Sequence, residues 1–256
     1  MNNKIEYIRL PEVRSTNTYV SEHSSALCDK TVVYADAQTS GRGQRGNTWE
    51  SEPGKNVTMS IFLRAPKVLP AQQFYLSEAC ALAVVVVLGR YIDEVSIKWP
   101  NDIYYKDKKI CGILIEHSLS AGKIAHTIAG IGLNVNQRAF LSEAPNPVSI
   151  YQILGRECDI RTIVEEIAEA YIMLCEELPD AAESLHENFL QNLYRKTGLF
   201  KYKAMIDSKS DRGEIVPCGV EFSAEIVDVQ PDGMLLLRTS SDAIHKFAFK
   251  EVMFVI

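Results

Sequence analysis

Three short stretches carry residue types suited to chemistry on anions. Gly41-Arg42-Gly43-Gln44-Arg45-Gly46 sets two arginines in a glycine-rich loop. Glycines let a backbone approach an anion closely and turn successive N–H groups toward it. A guanidinium adds permanent charge in a planar fork that fits phosphate. The spacing matches G-x-G-x-x-G, yet a dinucleotide fingerprint needs its last glycine to open a helix whose N-terminus meets pyrophosphate. Here the sequel is NTWESEPGKNVTMSIFL, a Pro-Gly turn and then a strand. The loop therefore joins two strands, and the dinucleotide reading fails on context. A protein-kinase loop also joins strands, but no H-R-D or D-F-G follows.

The second stretch, Lys98-Trp99-Pro100-Asn101-Asp102, ends a strand in a charged, turn-forming pentad, and Lys109 to Glu116 (KICGILIE) follows closely. A glycine inside a strand weakens it, so Gly112 needs a bulge or a closely approaching ligand as its reason. The third, Gly130-Ile131-Gly132-Leu133-Asn134-Val135-Asn136, alternates small and large residues and leaves a slot on one face of its strand.

The elements that must hold these residues are legible in outline. TVVYADAQ (31–38), NVTMSIFLR (56–64), VSIKW, KKICGILIEHSL and HTIAGIGLNVN predict strands. Residues 71–91 predict a buried helix behind Pro70, and Ser15 or Thr16 is placed to cap a first helix. Apolar residues spaced by three and four from Asp159 to Tyr194 predict a helical scaffold without chemistry, interrupted at Pro179. From Lys196 onward, short alternating segments around the turn Pro231-Asp232-Gly233 predict a small β-barrel.

Composition narrows the class. Of 256 residues, 27 are Lys or Arg and 33 are Asp or Glu, a formal net charge of −6, and 46% are hydrophobic. That usage excludes disorder, collagen and a membrane bundle, and it argues against a general nucleic-acid binder. The six cysteines and five histidines are dispersed, so neither a disulfide framework nor a metal ligand set is expected. The N-terminus has no apolar signal core, and the longest apolar run, Ala79 to Leu88, is about half a bilayer span. A cytoplasmic location with no membrane partner is the expectation.

Ser15-Thr16-Asn17, then Gln38 with GRGQRGNTW, then KWPND, KKICGILIE and GIGLNVN stand in the order found in biotin protein ligases. The chain closely resembles the catalytic module of that family over about residues 5–136 by motif, and over its whole length by layout. The resemblance implies an α+β fold: a class II synthetase-like mixed sheet with helices over residues 1–195, and an SH3-like β-barrel over 196–256. Longer members carry an N-terminal DNA-binding domain. About fourteen residues precede Ser15 here, so the monofunctional type, without nucleic acid as partner, is expected.

The implied activity joins biotin to the α-phosphate of ATP, with Mg²⁺, and passes the acyl group to a lysine of a biotin carboxyl carrier protein. The implied catalytic residues are Arg42, Arg45, Lys98, Asp102 and Lys109. Lys109 would face the carboxylate and α-phosphate, and Asp102 the incoming lysine, while Lys98 would pair with phosphate or with Asp102. Biotin would be bound by Ser15, Thr16, Asn17 and Gln38, by the loop residues Gly41, Arg42, Gly43 and Gln44, and by Lys109, Gly112, Leu114 and Gly130. The adenylate would meet Arg42, Arg45, Trp49, Lys109, Gly132 and Asn134, with Trp49 stacking on adenine. The loop from Gly41 to Trp49 is expected to order over it.

One departure stands out. Many family members have arginine where this chain has Gln44, so its loop brings one cation fewer to the anionic adenylate. A lipoate-type ligase of the same fold and a non-catalytic biotin or adenylate sensor are the rival readings. The intact Arg42, Asp102 and Lys109 weigh against the sensor. A homodimer through an exposed sheet edge stays open.

Overall fold

The computed structural model describes residues 4–141 and 146–256, with the side chain of Arg45 also outside the described set. The chain runs β1 (Glu6–Val13), α1 (Thr16–His23), β2 (Thr31–Gln38), β3 (Val57–Arg64), α2 (Phe74–Leu88), β4 (Val95–Lys98), β5 (Asp102–Tyr105), β6 (Lys108–Ser120) and β7 (Lys123–Leu133). Three helices follow: α3 (Ile150–Leu154), α4 (Ile160–Glu177) and α5 (Ala182–Gln191). The C-terminal part holds β8 (Phe200–Ala204), β9 (Ser208–Lys209), β10 (Ile215–Val216), β11 (Glu221–Val229), β12 (Leu235–Thr239), β13 (Ile244–Phe247) and β14 (Val252–Phe254).

Seven strands form one mixed sheet in the order β1-β2-β3-β7-β6-β5-β4. Only β1 and β2 pair in parallel; the other neighbours are antiparallel. The period of two then decides which side each residue serves. Met59, Ile61, Cys111, Ile113, Ala129, Ile131 and Leu133 join the main core with α2 and α4. Burial pushes the Cys111 thiol well above its usual range, so it is a packing residue. Thr58, Ser60, Gly112, Leu114, Gly130 and Gly132 alternate with them and face the other side, where α1 lies.

The apolar stretch Pro70–Leu88 is long and apolar enough to cross a membrane by composition, but most of it is buried within this fold. It is the core helix, covered by α4, α5 and the sheet. The helix expected over 71–91 is α2 at Phe74–Leu88, preceded by a 3₁₀ turn at 70–72. The expected scaffold is two helices, α4 and α5, parted around Pro179.

Three elements of the larger unit were not expected. β1 is half exposed, contains Pro11 and pairs on one side only, the position where a strand tolerates proline. β5 begins at Asp102, the last residue of KWPND. α3 is short, but Ser149 and Gln152 form a reciprocal capping box that starts it.

The C-terminal strands make a five-stranded antiparallel sheet, β13-β12-β11-β8-β14, with β9 and β10 as a separate ladder. This is the small β unit the sequence implied. It is packed onto the larger one: Trp99 Nε1 donates to Gly233 O at 3.0 Å, and Phe74 N to Pro231 O at 3.2 Å. Gly233 has φ +89°, and a Cβ there would lie 2.9 Å from the Phe74 ring. Glycine is required on both counts.

Candidate active site

A cleft of about 740 Å³ opens on the α1 side of the seven-stranded sheet. Its floor is a patch of bare backbone. Gly112 pairs directly with Gly132, and Gly130 with Leu114, so three glycines from two adjacent strands face one way. A Cβ on Gly132 would fall 2.4 Å from the Trp49 indole, and one on Gly112 would fall 3.0 Å from it. A Cβ on Gly130 would fall 2.2 Å from Asn17 Oδ1. These glycines are there because other groups occupy the space a side chain would need.

The roof is the glycine-arginine loop. It is a small hairpin: Gly43 N donates to Asn47 O at 2.7 Å, Trp49 N to Gly41 O at 3.0 Å, and Arg42 bridges Thr48. Residues 44–46 form one 3₁₀ turn, and the next strand begins only at Val57, so no helix follows the last glycine. The Trp49 indole lies against the glycine floor with Lys109 Nζ 5.8 Å from its ring centroid.

One end of the cleft is a hydrogen-bonded polar wall. Gln38 Oε1 accepts from Thr16 N at 2.8 Å and from Thr16 Oγ1 at 3.3 Å. Ser60 Oγ lies 2.7 Å from Thr16 Oγ1 and 2.6 Å from Asn17 Oδ1. Asn17 Nδ2 donates to Glu116 Oε2 at 2.8 Å and to Leu114 O at 3.2 Å. Arg42 closes the group, donating to Glu116 Oε1 and to Thr18 Oγ1. Ser15 stands at the N-cap position of α1, but its side chain makes no capping bond. Gln38 satisfies the Thr16 N–H instead, tying the helix start to β2 rather than to its own cap.

The other end is ionic and aromatic. Lys109 Nζ lies 2.6 Å from Asp102 Oδ1. Of the two partners the resemblance implies for Lys98, phosphate or Asp102, Asp102 forms no ion pair with it among the described residues, although the two face each other in the β4–β5 ladder. Lys98 Nζ sits 5.1 Å from the ring centroids of both Tyr104 and Phe254. Burial there lowers its pKa, against the pull of Asp102. Phe254, Phe249 and Lys250 bring the C-terminal sheet into the cleft wall.

Ser15, Thr16, Asn17, Gln38, Arg42, Gly43, Gln44, Trp49, Lys98, Asp102, Lys109, Gly112, Leu114, Gly130, Gly132 and Asn134 all line this one cleft. Gly41 lies behind the roof, where a Cβ would meet Trp49 O at 2.6 Å. Arg45, also singled out by sequence, has its side chain outside the described residues. Sequence reasoning missed Ser60, Thr18, Glu116 and the C-terminal wall. Thr58 and Ser60 had a signal, since they are polar at alternate positions of the otherwise apolar VTMSIFL. Phe254 had none, because nothing local says which way the second unit docks.

The cleft also holds polar atoms that the protein leaves unmet. Trp49 Nε1, Gln44 Oε1 and Asn134 Oδ1 are buried without a hydrogen-bond partner among the described residues. A buried orphan costs about 1–3 kcal/mol, so a bound molecule with matching groups gains by meeting them. No three or more His, Cys, Asp or Glu side chains converge to hold a metal ion among the described residues.

A family model for the biotin/lipoate A/B protein ligase family matches residues 10–134. The bifunctional ligase/repressor BirA of Escherichia coli strain K12 is 36% identical over 130 residues, which are 50% of this chain and 40% of BirA. The matched part thus spans less than half of that relative. The biotin–[acetyl-CoA-carboxylase] ligase of Paracoccus denitrificans is 32% identical over 170 residues, covering 63% of this chain and 70% of that protein. Among solved structures, the biotin protein ligase from Aquifex aeolicus in complex with biotin and ATP superposes with a TM-score of 0.76 at 24% identity, over 98% of this chain and 99% of the other. The enzyme from Leishmania major in complex with biotinyl-5-AMP gives a TM-score of 0.63, also at 24% identity, over 97% of this chain and 100% of the other. At that identity these likenesses speak to the fold.

Proposed function

The chain belongs to the biotin/lipoate A/B protein ligase family, and from that premise we propose that it activates biotin with ATP and transfers it to a lysine of a carrier domain. The observation that carries the reading is one slot with three unlike parts. Its floor is glycine backbone, one end is the Thr16–Asn17–Gln38–Ser60 wall, and the other end holds Lys109.

In the first step a biotin carboxylate oxygen attacks the α-phosphorus of ATP, a P–O bond forms, and the bond to the pyrophosphate oxygen breaks. Both reactants are anions, so cations that suppress their repulsion are the main lever. Lys109 and Arg42 supply fixed charge on two sides of the slot. The wall pairs the ureido ring of biotin, whose buried donors and acceptors must be met. Trp49 offers the adenine a flat apolar surface, and Asn134 Oδ1 offers an acceptor. Mg²⁺ would neutralise the triphosphate, and with no cluster of metal ligands among the described residues we assign it no protein ligand.

In the second step the carrier lysine amine attacks the acyl carbon and AMP leaves. Asp102 is the group we assign to orient that amine, because it lines the cleft beside Lys109. The carrier we have in mind is the biotin carboxyl carrier domain of a carboxylase.

The test is incubation with ATP, Mg²⁺, labelled biotin and a purified carrier domain. Label on the acceptor and release of pyrophosphate are expected. Label from lipoate in place of biotin would assign the other branch of the family. Binding of biotin with no pyrophosphate released would make the protein a sensor.

A further inference from the structure

Glu116 lies outside every role given above, yet its carboxylate is the point where the loop, α1 and β6 meet. One oxygen accepts from Arg42 of the glycine loop, and the other accepts from Asn17 Nδ2 at 2.8 Å. Arg42 spends a second donor on Thr18 Oγ1 of the same helix at 3.2 Å. Both amide hydrogens of Asn17 are thereby committed, one to Glu116 and one to Leu114 O, which turns Oδ1 toward Ser60 at 2.6 Å. An amide oriented the other way would set Oδ1 against the Glu116 carboxylate and Leu114 O, acceptor against acceptor.

We infer that Glu116 is a positioning residue that fixes the closed loop and the Asn17 amide together, so that the substrate acid meets a preset wall and a preset cation. The inference rests on the proposed function for its kinetic consequence, but not for its structural one. The ion pair is partly exposed on both sides, with 43% of the Arg42 side chain and 35% of that of Glu116 accessible. Such a pair adds little to global stability. A loop that opens locally is another matter, because a small bias moves its open population directly. Glu116 supplies a negative charge that Arg42 needs and two acceptors in the orientation both partners need. Glutamine keeps the shape, loses the charge and turns one acceptor into a donor.

The experiment compares wild type, Glu116→Gln and Glu157→Gln, the last breaking a surface pair with Lys55 far along the sequence. Amide hydrogen exchange over residues 41–49 of the ligand-free protein is the first readout. Exchange five- to tenfold faster in E116Q, unchanged in E157Q, with the melting temperature of both within a few degrees of wild type, is expected. Equal exchange in E116Q and wild type overturns the inference. The second readout is biotin-dependent pyrophosphate release. A KM for biotin raised at least fivefold with kcat within twofold is expected. A lowered KM would mean that Glu116 competes with the substrate for Arg42, and would overturn it. Faster exchange in E116Q, with no biotin-dependent turnover even in wild type, would uphold the positioning role and remove the proposed function.

Discussion

A methyl group at position 132 would sit 2.4 Å from the Trp49 indole, closer than any two carbon atoms pack. The sheet is the stiffer partner, so in Gly132→Ala the loop should yield. The expected result is a KM for ATP raised about tenfold, the ratio of an overpacking cost near 1.4 kcal/mol, with the melting temperature little changed. Kinetics and a melt on the same preparation check it. Gln44 concerns the intermediate instead. It brings no charge to the loop, and its Oε1 is buried without a partner. Gln44→Arg should slow dissociation of biotinyl-AMP, measured by release of labelled intermediate; equal rates would show that the missing cation is made good elsewhere. The residues behind these predictions were legible in the sequence because glycine in a strand and arginine between glycines are local anomalies. Ser60 and Glu116 were less so, because a serine or a glutamate at a strand position is ordinary until its neighbours are known. Asp102 was one of two partners the resemblance implied for Lys98; the β4–β5 ladder does set the two residues opposite each other, but the Asp102 carboxylate meets Lys109 Nζ instead.

β2 and β3 were read nearly to the residue, whereas α2 is three residues shorter at each end than the helix expected over 71–91. β1 was missed because an edge strand, half exposed and carrying Pro11, lacks the alternation that marks a buried one. α3 was missed because five residues are too few to show a helical period, although its capping box was written in Ser149 and Gln152. That box has a consequence near the cleft. Ser149 Oγ accepts from Gln152 N at 3.1 Å and donates to Gln137 O at 2.6 Å, and Ile150 N donates to Asn134 O at 3.1 Å. Ser149→Ala should cost about 1–2 kcal/mol, which in a chain of this size lowers the melting temperature by roughly 2–8 °C. A melt with unchanged midpoint would show that α3 is held by its apolar contacts alone.

At the scale of the molecule, one link between the helices behind the large sheet and the C-terminal sheet runs through a histidine. His186 of α5 meets Glu78 of α2 through Nδ1 and Asp228 of β11 through Nε2, both at 2.9 Å. The hydrogen bond to Glu78 and then the two carboxylate charges, against burial, raise its pKa to about 9. Tyr75 packs edge-on against the ring. A folded pKa above the unfolded one means that the protonated histidine stabilises, fully below about pH 6.5 and progressively less as pH rises through 9. Once neutral, the ring can donate to only one of its two acids. The melting temperature should therefore fall by a few degrees between pH 7 and pH 10, and His186→Gln should flatten that slope. A parallel fall in both proteins would locate the cause elsewhere. The small unit was foreseen from its alternating strands, but the docking was not, since Asp228 and His186 are 42 residues apart. The same docking runs through Trp99, whose indole bonds the 231–233 turn one residue from Lys98 and three from Asp102. Seen from outside, Pro231 and Asp232 are an exposed hairpin tip, the kind of spot usually picked for splicing in an epitope or fluorescent label. Here such a graft would tug on the cleft itself, and the exposed stretch around Arg212 and Gly213 is the safer place to cut.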